Sequence, residues 1–131
     1  MPQLRLLHIA LCLSAVIMTA IFGSLRSLIS SPPAPLPEVM TFVILGFAAM
    51  MILSAAVIRT RIPAMEGGVN ADEWVARNKA QCLILWAILE GSATLCGLSL
   101  FLGANPLAGG GLAAGALGFL VSQSPGTVAG H

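Results

Sequence analysis

Residues Cys82–Leu102 read CLILWAILEGSATLCGLSLFL, an apolar run interrupted by a single charge, Glu90. A helix rises about 1.5 Å per residue, so roughly 20 residues cross about 30 Å of hydrocarbon. The stretch has that length, and three other runs accompany it: Leu6–Leu25, Val39–Ile58 and the shorter, glycine-rich Leu107–Val121. The expected fold is therefore all-α. It is an integral membrane four-helix bundle in one domain over 1–131, with spans near 6–25, 39–58, 82–102 and 107–121.

Composition points the same way. Of the 131 residues 57% are hydrophobic and 8% are charged, whereas a soluble domain carries about 25% charged residues. A chain so poor in charge needs lipid rather than water around it. Arg5 ahead of an apolar core has the look of a secretion signal, but that core exceeds the usual 7–15 residues and no clean small-x-small site follows. An uncleaved first span is expected.

Of the six basic residues, Arg59, Arg61, Arg77 and Lys79 fall between the second and third spans, Arg5 precedes the first, and Arg26 alone falls on the other side. The positive-inside rule then makes the 59–81 loop and both termini cytoplasmic. A net charge of +1 without a basic cluster argues against nucleic-acid binding. Cys12, Cys82 and Cys96 lie in or at the edge of spans and read as small packing residues rather than a disulfide framework.

The connections carry local signals. Ser30–Glu38, SSPPAPLPE, holds four prolines. They end the first helix, favour an extended hairpin, and leave Glu38 to open the second helix where an acid suits the dipole. Within the 59–81 loop Pro63 and Gly67-Gly68 break structure, and Asn70 with Glu73 reads as a capping box. Glu73 and Arg77 form an i,i+4 pair, and Trp74 and Lys79 suit the headgroup zone. The third helix is thus expected to begin near Ala71, before the membrane. Asn105-Pro106 marks a tight turn into the last helix, making the third and fourth helices antiparallel neighbours.

Glu90 lies eight residues beyond Cys82, roughly 12 Å into the hydrocarbon. A charge there costs a few kcal/mol or more, so the side chain is expected to face protein. Small residues crowd its part of the helix: Gly91, Ala93, Thr94 and Gly97. Small residues let membrane helices approach closely. In the fourth span Gly111 and Gly115 form GxxxG, and Ala114 and Gly118 repeat the spacing. The two spans are accordingly expected to pack through these faces, with Glu90 at their interface and Thr94 bonded to it. Glu90 then has two roles open to it. It is either an uncharged, hydrogen-bonded residue that sets helix register, or an exchangeable proton or cation site.

The stretch AILEGSATLCGLSLFLGANP, residues 87–106, resembles the carboxylate-bearing helix of rotary ATPase proteolipids, the c-type rotor subunits. Glu90 stands for the mid-membrane acid, Gly97-Leu98 for a following Gly-Leu pair, and Phe101–Pro106 for a Phe-x-Asn-Pro-like ending. The long 59–81 loop and a glycine-rich helix placed after the acid depart from that pattern. The chain is also similar to small bacterial four-span proteins with a Trp-Ala-x-x-Glu-Gly core, here Trp86 to Gly91. The proteolipid resemblance implies proton or cation handling at Glu90.

His8 and Cys12, at i,i+4, make too small a set for a metal site. No side chains pair a nucleophile with a base, and no glycine loop follows a strand. The expectation is a non-enzymatic bacterial inner-membrane protein, without metal or cofactor. It assembles with itself or with other membrane subunits through its glycine-rich helices. Proton or cation handling at Glu90 is the alternative.

Overall fold

The computed structural model describes residues 1–32 and 34–130. Among the described residues there are five helices, α1 (Pro2–Leu28), α2 (Glu38–Arg61), α3 (Ala71–Phe101), α4 (Pro106–Ser122) and the short α5 (Pro125–Gly130), and no strand. The chain is thus all-helical. Three helices, α1 to α3, are long and apolar enough to cross a membrane, and α4, at 17 residues, is a shorter apolar helix.

Local chemistry sets the ends. Asn70 caps α3, its side chain accepting from the Asp72 N–H at 2.8 Å. The cap forms without the expected box: Asn70 bonds the second helical N–H instead of that of Glu73, and the Glu73 carboxylate turns outward to pair with Arg77. Replacing Asn70 by alanine is expected to cost about 1 kcal/mol, read as a lower melting temperature in detergent. At the other turn, Asn105 accepts from the Leu107 and Ala108 N–H groups, and Pro106 occupies the first turn of α4, where its missing N–H is harmless.

Between α1 and α2 the chain runs extended at Ile29 and Pro37. Of the four prolines in this hairpin, Pro33 lies outside the described residues. The segment lies across the α3–α4 turn, where the Leu36 N–H donates to the Leu102 carbonyl at 3.0 Å. Gly103 adopts a left-handed φ of +92°, and a Cβ there would stand 2.8 Å from Pro35. Both facts require glycine. Arg26, at the end of α1, donates to the Phe101 carbonyl at 2.9 Å and so satisfies the C-terminus of α3.

α3 is the hub. It packs against α1, α2 and α4, while α1 and α2 scarcely touch. Ser14 opposite Glu90 and Thr19 opposite Gly97 show α1 running parallel to α3. Ala48 opposite Ser92 with Met51 opposite Gly91, and Gly109 opposite Leu100 with Gln123 opposite Trp86, show α2 and α4 running antiparallel to it. The main core gathers Leu4, Ala15, Ala55, Trp74, Leu85, Trp86, Leu89 and Leu120. Outside it, α1 exposes Leu6, Ile9, Leu13 and Ile17, and α2 exposes Phe42, Val43, Phe47 and Leu53. A continuous apolar exterior of this kind suits hydrocarbon, not water.

One end of the bundle is tied by polar contacts. There the last carbonyls of α4 lose their intrahelical partners and need donors. His8 on α1 bonds the Leu120 carbonyl at 2.8 Å, and the Trp86 indole donates to the Gln123 carbonyl at 2.8 Å. The Arg59 guanidinium bonds the Gln123 side chain and the Thr127 carbonyl. α5 closes this end, its Ala129 carbonyl accepting from the Met65 N–H at 2.7 Å. Trp74, expected among headgroups, is instead buried, and its indole donates to the Pro63 carbonyl at 3.0 Å. The loop before α3 folds back over the ring and supplies the acceptor.

Candidate functional site

Glu90 sits midway along the apolar part of α3 and is half-buried. Its Oε1 accepts a hydrogen bond from the Ser14 hydroxyl of α1 at 2.7 Å. Ser14 lies at the middle of α1, so parallel packing brings the two mid-helix polar groups level. No Lys, Arg or His forms an ion pair with the carboxylate among the described residues.

The carboxyl group stands in a groove of about 580 Å³ along the α1–α3 seam. Met18 and Phe22 of α1 form one wall; Ala87, Gly91, Thr94 and Leu98 of α3 form the floor and the other. Gly91 also receives the Met51 methyl of α2, where an added Cβ would meet it at 3.2 Å. Because α1 and α2 scarcely touch, no residue of α2 lines the groove and its outer side stays open.

This geometry corrects the expected α3–α4 arrangement. Glu90 faces α1, and its hydroxyl partner is Ser14 rather than Thr94, which lines the same groove. α4 does pack on α3, but through Gly109, Ala113, Ala116 and Leu120, all buried. A Cβ on Gly109 would lie 2.7 Å from the Leu100 side chain. Two residues along a helix turn it by about 200°, so the GxxxG stripe that begins at Gly111 points away from α3. Gly111, Ala114, Gly115 and Gly118 are all exposed, and a Cβ on any of the three glycines would meet nothing within 4 Å. Both stripes consist of small residues, so composition does not separate the packed face from the free one.

The close approach that small residues permit occurs elsewhere on α3. Gly97 is buried at the α1 crossing, where a Cβ would stand 3.1 Å from both the Cα and the carbonyl oxygen of Thr19. Ala93 is buried, and neighbouring Ser92 donates to the Ala48 carbonyl of α2 at 3.2 Å. Small residues around Glu90 thus seat α1 and α2.

Three contributors escape a linear reading: Ser14, His8 and α5. Ser14 left one trace, as a hydroxyl in the middle of the first apolar run. The His8 ring packs against Trp86 in a tilted arrangement, with ring centroids 4.9 Å apart and planes at 54°, and the Cys12 sulfur lies 3.6 Å from its Nε2. These contacts make His8 a brace between α1, α3 and α4, and no group of three or more His, Cys, Asp or Glu gathers for a metal among the described residues. The chain matches no family model, no curated protein and no solved structure.

Proposed function

We propose that the chain is a non-enzymatic subunit of a bacterial inner membrane, with both termini and the 59–81 loop cytoplasmic. It associates with a second copy or another membrane helix through the outer face of α4. The observation that carries this reading is the stripe Gly111, Ala114, Gly115 and Gly118. It is exposed, lies opposite the face by which α4 packs on α3, and has open space beside each glycine. In lipid, helix association depends on backbone approach and dispersion contact, which a flat small-residue face provides. Gly115→Val is expected to weaken association by at least about tenfold, equivalent to about 1.4 kcal/mol. The check is cross-linking in native membranes together with size in mild detergent. A wild-type chain that is monomeric at every concentration and cross-links to no other membrane protein, or a variant that assembles equally well, rules the reading out.

A second reading has its own support, the groove at Glu90. A carboxylate that among the described residues has one hydroxyl partner and no ion pair, and that stands in an open-sided groove, is suited to take up a proton or a cation. Dicyclohexylcarbodiimide attacks protonated carboxyl groups in apolar surroundings. It is expected to label the wild type but not Glu90→Gln, and a bound cation is expected to slow the labelling. Equal labelling of the two proteins removes this reading.

A further inference from the structure

We propose that the Glu90 groove binds a lipophilic organic cation that enters from the side of the bundle. The proposal rests on the second reading above and names the ligand class of that site. Three features converge. The floor presents one carboxylate, held by Ser14 at 2.7 Å and lacking a cationic partner among the described residues. The walls are apolar, and they include the Phe22 ring and the polarisable Met18 side chain. Met18 stands one turn and Phe22 two turns beyond Ser14 on α1, so the apolar body of a cation lies along these side chains while its charge meets Glu90. Finally, only α1 and α3 line the groove, which is open on its outer side, and the outer faces of α1 and of α2, the other helix packed on α3 near Gly91, are apolar. A ligand dissolved among acyl chains therefore reaches the carboxylate without crossing a polar surface.

Size selects a small molecule over another helix. The groove is lined from Ala87 to Leu98 on α3, about 16 Å at 1.5 Å per residue, whereas a spanning helix needs about 30 Å of contact surface. Its volume of about 580 Å³ falls within the range of about 300–1,000 Å³ typical of small-ligand sites. Charge selects a cation. An anion would meet Glu90 directly, and a neutral apolar molecule would leave the carboxylate unpaired, at a cost of a few kcal/mol in a dry site.

The test is equilibrium binding of tetraphenylphosphonium to the full chain in dodecyl maltoside, with tetraphenylborate as a control of the same shape and opposite charge. Saturable binding of the cation is expected, about tenfold or more weaker in Glu90→Gln and retained in Glu90→Asp, since glutamine keeps the shape but not the charge that pairs with the cation. Thr94→Phe, which fills the groove while leaving the acid in place, is expected to weaken binding similarly. Equal affinity in wild type and Glu90→Gln, or equal binding of the borate, overturns the proposal. So does Glu90-dependent capture of a polyleucine helix with a central arginine in place of the cation, since the groove is then a helix-docking surface. Carbodiimide labelling run in parallel separates the two claims. If Glu90 labels but tetraphenylphosphonium neither binds nor protects it, the ligand class is wrong and the acid site stands. If Glu90 does not label even at acid pH, where its carboxyl is protonated, the group is out of reach from the membrane and both fall.

Discussion

Replacing Trp86 with alanine is expected to cost about 3–5 kcal/mol, the largest single loss in this chain. Trp86 is fully buried on the hub helix, packs against the tilted His8 ring of α1, and donates to the Gln123 carbonyl at the end of α4. Alanine leaves a cavity where three helices meet. It also leaves the Gln123 carbonyl, a group with no helical partner, without its indole donor in an apolar place. Phenylalanine fills most of the space but cannot donate, so Trp86→Phe is expected to recover all but about 1–2 kcal/mol. Unfolding by dodecyl sulfate in mixed micelles measures both. A Trp86→Ala variant within about 1 kcal/mol of wild type would show that this end of the bundle is not held by the indole.

Valine at position 97 is expected to cost about 1–3 kcal/mol, whereas valine at position 115 is expected to change monomer stability by no more than about 0.5 kcal/mol. The two glycines have opposite surroundings. A Cβ on Gly97 meets backbone, the Thr19 Cα and carbonyl oxygen at 3.1 Å, which yields only if α1 moves away. A Cβ on Gly115 meets nothing within 4 Å. Moving α1 also separates Ser14 from Glu90, so Gly97→Val is expected to alter carbodiimide labelling at the acid while Gly115→Val leaves it unchanged. If both valines behave alike in the unfolding and labelling assays, then the assignment of an inner and an outer small-residue face is wrong.

The contrast between these glycines marks where linear reading stops. Gly97, Gly111 and Gly115 look alike in sequence, each a small residue in an apolar run. In a soluble helix the hydrophobic stripe names the packed face, because the other face must be polar. α4 carries small and apolar side chains all round, so no periodic contrast distinguishes Gly109 and Ala113, which are buried, from Gly111 and Gly115, which are not. The same uniformity hid the neighbour of Glu90. Its own helix showed that the acid needed shelter, but whether α1, α2 or α4 supplied it depended on helix order around α3.

From its sequence alone this protein is an all-helical chain with three runs long enough to cross a membrane and a shorter fourth. Its helix starts at Asn70 and Asn105-Pro106, and the isolation of Glu90 among apolar neighbours, are legible there too. Each follows from chemistry within a few residues: hydropathy, capping and proline geometry. Tertiary structure alone decided that α3 is the hub, that Ser14 rather than Thr94 holds Glu90, that His8 and Trp86 satisfy the end of α4, and that the GxxxG stripe faces outward. Those outcomes join residues as far apart as His8 and Leu120. They turn on which helix faces meet, and in a chain apolar on every side that choice rests on shape and a few hydrogen bonds, not on any pattern along the chain.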